Sequence, residues 1–257
     1  MAADVMVTPR VARNRFYVWM AGICVLVAFG LFAPTYWLQL PPGTFTGGSL
    51  LHLHALLFSA WTLFFLSQTM LAAGRRIETH RAWGLFGIAL ATAMLFSGFA
   101  TAIKMMTNGI AAGNAESARA FALVPISAIA IFAVLVAVAI AKIKQPETHK
   151  RLMLVATISI LQAPLDRIFF ALNAGMAPGL RPGAVPPPPV QAAIPAGVIT
   201  LALILAAIVY DWRTRGRPHS AYLVGGAIVA AAILLRAPLA NTSAWQGAAN
   251  FLATFAG

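Results

Sequence analysis

Histidine is the residue type in this chain best suited to chemistry at neutral pH, because imidazole binds metals and exchanges protons there. There are five histidines, and they stand at the margins of apolar stretches. His80 stands in Arg75-Arg76-Ile77-Glu78-Thr79-His80-Arg81, His149 in Lys144-Gln145-Pro146-Glu147-Thr148-His149-Lys150-Arg151, and His219 in Arg217-Pro218-His219-Ser220. Each leads from a basic connection into an apolar segment. The first two share Glu-Thr-His, 69 positions apart. Glutamate and threonine suit the first turn of a helix, where free N–H groups and the positive dipole end await partners, and Pro146 suits the first helical position. That local logic accounts for the glutamates and threonines but leaves the histidines unexplained. His52 and His54 open a different apolar segment.

Imidazoles projecting from neighbouring helices into a bundle hold haem iron or another metal, and histidines near both faces of a membrane suit electron transfer across it. On that reading His80 and His149 are the ligand pair for a haem b iron or other metal ion, and His54 is a further cofactor-binding residue. From His54 to Ala72 there are 18 residues, about 27 Å of helix, so His54 and His80 belong to opposite faces and cannot share a metal. Within a regular helix His52 and His54 point roughly 200° apart. They grip one metal ion only if the helix starts after them. The plainer reading makes the histidines interfacial residues with their polar tips among headgroups, and His219, between arginines and proline, fits it best.

Four polar residues fall where lipid is expected: Gln162, Asp166 and Arg167 in one apolar stretch, and Arg236 in another. A charge inside the membrane is costly, so each must face a partner, a cavity or the interface. Asp166 is expected to pair with Arg236 or with its neighbour Arg167 and lock two helices together. If Lys104 and Arg119 line the same region, the surplus positive charge instead receives a carboxylate, such as a haem propionate or an anionic substrate. A transporter or small-molecule-binding protein, with an outward-facing cavity built from Asp166, Arg236 and His54, is therefore a second functional class. A non-catalytic assembly partner of a respiratory complex is a third.

The elements that position these residues follow from composition. Sixty per cent of the 257 residues are hydrophobic and 9% charged, against about 25% charged in a soluble domain. The apolar residues fall in blocks at roughly 16–40, 50–72, 82–104, 119–141, 148–172, 191–210 and 220–240, long enough to cross ~30 Å of hydrocarbon as helices. The expected fold is an all-α integral membrane bundle of about seven transmembrane helices, a single domain over 1–257. It has an N-terminal tail at 1–15, a Pro-rich outer loop at 173–190 and an outer interfacial tail at 241–257. The first block exceeds a signal-peptide core and reads as a retained helix. Counted by alternate connections, 13 of the 18 Lys and Arg residues share one side. The positive-inside rule makes that side cytoplasmic, with the N-terminus in the cytoplasm, the C-terminus outside, and the chain in a bacterial-type inner membrane. The net charge of +12 lies between spans and not on a soluble face, which points to the lipid bilayer as partner and not to nucleic acid.

The stretch His52-Leu53-His54-Ala55-Leu56-Leu57-Phe58-Ser59-Ala60-Trp61, followed by Gln68, Gly74-Arg75 and His80-Arg81-Ala82-Trp83-Gly84, resembles a group of uncharacterised bacterial multipass proteins with His-x-His and His-Arg-x-x-Gly helix entries. Pro146-Glu147-Thr148-His149-Lys150-Arg151-Leu152-Met153 and the run from Tyr210-Asp211 to His219 extend the resemblance over most of the chain. It implies a common helical membrane fold and supplies no activity. A weaker similarity of layout links the chain to cytochrome b561-type proteins, in which histidines near both faces hold two haems. Here an outer haem would need both His52 and His54, or Met105 or Met106 as second ligand, whereas one inner haem is served by His80 and His149. A redox partner or a small-molecule ligand follows from whichever class holds. Cys24 is the only cysteine, so an intramolecular disulfide or a cysteine-built metal site is excluded. No phosphate-binding glycine loop, Gly-x-Ser-x-Gly or His-Glu-x-x-His motif is present.

Overall fold

The computed structural model of the chain describes residues 15–174 and 186–256. The 1–14 stretch of the N-terminal tail and the 175–185 stretch of the Pro-rich loop lie outside it. Nine α-helices run through the described residues: α1 (Phe16–Phe32), α2 (Ser49–Ala73), α3 (Ile77–Ala111), α4 (Ala115–Ala141), α5 (Pro146–Ser159), α6 (Gln162–Ala174), α7 (Ile194–Arg215), α8 (Ser220–Ala240) and α9 (Ser243–Ala253). Six stretches, the helices α2, α3, α4, α7 and α8 and the α5–α6 pair taken from Pro146 to Phe169, are long and apolar enough to cross a membrane. The shorter apolar α1 adds a seventh. The protein is a multipass membrane bundle of about seven helices.

In three of the blocks the helices depart from the hydropathy pattern for reasons that hydropathy does not register. The first block, expected over 16–40, is helical only to Phe32. Pro34 has no N–H to continue the ladder, and its ring crowds the carbonyl four residues back. The third, expected over 82–104, runs from Ile77 to Ala111, because the polar residues at its ends are helix-compatible. It stops at a turn where Gly113 takes φ +84°, a conformation that glycine adopts without strain. The fifth, expected over 148–172, is broken at Ile160 and Leu161 into α5 and α6. Pro164 lies four residues beyond Ile160, so its ring meets the Ile160 carbonyl and it offers that carbonyl no N–H.

α2, α3, α4 and α5 pack side by side in chain order, α8 packs on α4, α5 and α7, and α6 lies between α1 and α7. α5 is the central helix: Leu154, Val155, Ala156, Thr157 and Ile158 are fully buried. Trp61 of α2 donates from its indole N–H to Thr157 Oγ1 at 3.2 Å, fixing α2 to α5 within the apolar interior. The small patch Gly225-Gly226 lets α8 approach closely: a Cβ at Gly225 would come within 3.2 Å of Val155, and one at Gly226 within 3.1 Å of Ile204. Leu26, Leu85, Phe96 and Leu234 point outward, each more than two-thirds exposed, as lipid-facing side chains do. The tail beyond Asn241 forms α9, whose Trp245, Ala249 and Leu252 pack against Ala102, Met106 and Ala118 of α3 and α4.

Candidate functional site

Polar side chains gather at two levels. One is the basic end of the bundle, where α2 leads into α3, α4 into α5 and α7 into α8. The other is the far half, where α6 and the C-terminal part of α8 lie.

At the basic end the first turns of α3 and α5 bring His80 and His149 together, with ring centroids 6.5 Å apart and the planes nearly perpendicular. His149 Nδ1 lies 2.8 Å from the Ala139 main-chain oxygen. A carbonyl can only accept, so Nδ1 carries a proton, and in the neutral tautomer this leaves the lone pair on Nε2. His80 lies beside the Gln68 main chain, and its Nδ1 is buried with no hydrogen-bond partner among the described residues. Gln68, near the end of α2, is buried, and both its amide atoms lack hydrogen-bond partners among the described residues. Each histidine thus has an anchor on main chain and a nitrogen to spare, the pattern by which outer hydrogen bonds orient a metal-binding imidazole. Gln68 was visible in the sequence only as part of the resemblance. Its burial beside His80 is what the fold adds.

Compared with family models, curated proteins and solved structures, the chain matches none. The chemistry therefore rests on the geometry alone.

Next to the pair is an ion network that motif reading missed. Arg151 is 2% exposed. It grips Asp211 through Nε at 2.9 Å and again through Nη2, and donates from Nη1 to the Glu147 main-chain oxygen and carboxylate at 2.8 and 2.6 Å. Asp211 also accepts from the His219 main-chain N–H at 3.0 Å, and Arg215 donates to Glu147 at 3.0 Å. The network ties α5, α7 and the start of α8 together. The signal for it lies in the two motifs that carry it, from Pro146 to Arg151 and from Tyr210 to His219, where the first-turn logic explains Glu147 on its own helix but gives no hint that Arg151 reaches Asp211. His219 itself caps α8, its Nδ1 accepting from the Ala221 N–H at 3.1 Å, and this structural duty agrees with the plainer reading of that residue.

In the far half, His52 and His54 do not converge. α2 starts at Ser49, so both lie inside a regular helix and the condition for a shared metal is not met. His52 Nδ1 is 3.0 Å from the Tyr36 hydroxyl, with Phe45 against its ring. Burial raises the Tyr36 pKa. His54 stacks on Phe58 with centroids 4.1 Å apart. Of the two partners expected for Asp166, Arg236 does not bond to it directly. Arg236 donates from Nε to Ser127 Oγ at 2.8 Å and from Nη1 to Gln162 Oε1 at 2.6 Å, not to Asp166. Asp166 Oδ1 is buried with no hydrogen-bond partner among the described residues. Arg167, its electrostatic neighbour, has its guanidinium over the Phe32 ring at 5.4 Å. Arg119 is not bonded to the cluster: its Nε donates to Gln246 of α9 at 2.7 Å.

Proposed function

We propose that this multipass protein holds a haem iron or another metal ion between His80 and His149 and serves electron transfer across a bacterial inner membrane, with the basic end in the cytoplasm. The observation that carries the reading is the 6.5 Å pairing of these two rings, each with a ring nitrogen to spare, from helices whose entries repeat the same tripeptide. Metal–nitrogen bonds of roughly 2.0–2.1 Å on either side of an ion fit between rings at that spacing. No group of three or more His, Cys, Asp or Glu able to hold a metal occurs among the described residues. A metal cage made of protein alone needs about four ligands, whereas haem iron asks the protein for two. That difference favours haem b. A haem bound there supplies one-electron redox chemistry. His80 and His149 would hold the iron through their free ring nitrogens, with the Ala139 main-chain oxygen fixing the tautomer of His149, and Gln68 would offer an amide to the group beside His80.

The resemblance to multipass proteins with His-x-His and His-Arg-x-x-Gly entries is consistent with this reading, since both halves of the pair stand in the shared motifs. The bias of Lys and Arg supports the orientation. The test is an absorption spectrum of protein purified in mild detergent after expression with ample haem, oxidised and then dithionite-reduced, with metal analysis alongside. A Soret band with shifting visible bands, lost in His80→Ala and His149→Ala and kept in His52→Ala, is the expected result. A featureless spectrum with no bound metal in a folded sample removes the proposal.

A further inference from the structure

The connection from α2 to α3 carries charge that the protein does not spend on itself. At the other basic connections Lys150, Arg151 and Arg215 are engaged by Glu147, and Arg151 also by Asp211. Arg75, Arg76 and Arg81 are exposed, and none of their guanidinium groups makes a hydrogen bond or ion pair among the described residues. Arg75 also holds an unfavourable backbone. Its φ is +60°, a left-handed conformation that suits glycine, while Gly74 beside it keeps an ordinary φ of −79°. Glycine at position 75 would suit the turn better, and what arginine supplies instead is an exposed positive charge.

From this basic mouth the outer face of α3 continues as an apolar groove. Ala82, Leu85, Phe86 and Ala89 follow the spacing of one helix face, and with Trp83 they line an open hollow of about 500 Å³. The two alanines have no side chain beyond Cβ and leave room between larger neighbours. Trp83 stands edge-on to Phe86 with centroids 6.0 Å apart, and Phe86 edge-on to Phe64 of α2 at 5.5 Å, so the aromatic wall is braced by a second helix. Trp83, Leu85 and Phe86 are each half exposed or more. From Ala82 to Ala89 the groove runs ~10 Å along the helix, within the ~15 Å depth of one bilayer leaflet. Arg81 adjoins its rim, one turn from Leu85, and Arg76 lies ~9 Å from Ala82 along the axis. Glu78, one turn from Ala82, is the acid at the mouth, where the three arginines outweigh it.

We infer that this surface binds a phospholipid with an anionic headgroup: an acyl chain lies in the α3 groove, and the phosphate is gripped by Arg81 together with Arg75 and Arg76. Guanidinium meets phosphate with paired N–H donors. The excess of positive charge selects a headgroup whose phosphate is not neutralised by an amine of its own. The lipid lies away from the histidine pair, because His80 points towards His149 of α5 from the opposite side of α3.

The full chain in mild detergent is titrated with phosphatidylglycerol, phosphatidylethanolamine and phosphatidylcholine of identical acyl chains, and bound lipid is counted by native mass spectrometry. The expected result is one phosphatidylglycerol held roughly tenfold more tightly than either zwitterionic lipid. Glycerol phosphate, which has the phosphate but no chain, should not compete. Arg76→Gln with Arg81→Gln should abolish the preference, whereas Arg213→Gln with Arg217→Gln, which removes the same charge from the connection between α7 and α8, should keep it. Arg75→Gly should raise the melting temperature and weaken phosphatidylglycerol binding severalfold, a combination that an arginine serving the turn alone would not give. Ala82→Phe leaves every charge in place, fills the groove and should weaken the same binding severalfold. Equal affinity for the three lipids overturns the proposal, as does an undiminished preference in the Arg76 and Arg81 double variant or undiminished binding in Ala82→Phe. Competition by glycerol phosphate would overturn it too, by making the site one for soluble phosphate.

Discussion

Arg151 shows what a single buried charge asks of its neighbours. Its guanidinium reaches a carboxylate on α7, a carboxylate on its own helix and a main-chain oxygen, and its face lies 5.6 Å from the centre of the Tyr222 ring. Taking one partner from a buried pair strands the other charge and typically costs about 3–5 kcal/mol, while replacing both by apolar groups of similar shape is often neutral. Asp211→Asn and Arg151→Ala should therefore each lower the melting temperature in detergent sharply. The double replacement Arg151→Met with Asp211→Leu should lose less than the sum of the two single changes. Parent-like melting of Asp211→Asn would mean that the pair adds nothing to stability. The same logic separates the residues that were legible in the sequence from those that were not. His80 and His149 could be paired from their repeated tripeptide alone. Arg151 and Asp211 could not, because a charge at a helix end looks the same in sequence whether it faces water or a partner 60 positions away.

At the scale of the element, hydropathy located every apolar span but misjudged where helices stop, since stopping is decided by hydrogen bonding. Pro34 and Pro164 remove donors, and neither changes a hydropathy average enough to be seen. α8 offers a measurable case of the same principle. It starts where His219 Nδ1 accepts the Ala221 N–H, and only an uncharged nitrogen can accept. Burial first, and then the nearby Arg151 and Arg215, lower the His219 pKa below its ordinary value. The unfolded chain therefore takes up this proton at a higher pH than the folded chain does. The capping contribution is complete above the usual histidine pKa of about 6.5 and is lost as pH falls through the lower folded value. His219→Ala should cost roughly 0.5–2 kcal/mol at neutral pH. His219→Asn should keep the cap and remove its share of the acid sensitivity. Thermal melts of the three proteins across that pH range check both statements, and an unchanged acid dependence in His219→Asn would assign the titration to another group.

Over the whole molecule, two polar levels are held apart by an apolar middle that Trp61, Phe132, Leu154 and Ile158 fill. The basic end ties α5 and α7 through one ion network, while at the far end α9 lies on α3 and α4, with its indole donating to the Arg119 main-chain oxygen at 2.8 Å. Composition alone announced a membrane bundle, because 9% charged residues cannot coat a soluble protein. The separation into two sites was not announced, since it depends on which side chains face inward. Orientation in the membrane is the remaining whole-molecule property, and the loops make it testable. Lys144 lies in the connection between α4 and α5 at the basic end, and Ala112 in the turn between α3 and α4 at the far end; both are exposed. In a background carrying Cys24→Ala, which removes the single native thiol, Ala112→Cys should react with a membrane-impermeant thiol reagent applied to intact cells. Lys144→Cys should react only once the membrane is opened. The reverse pattern would place the basic end outside and the histidine pair with it; the expected pattern puts that pair on the cytoplasmic side.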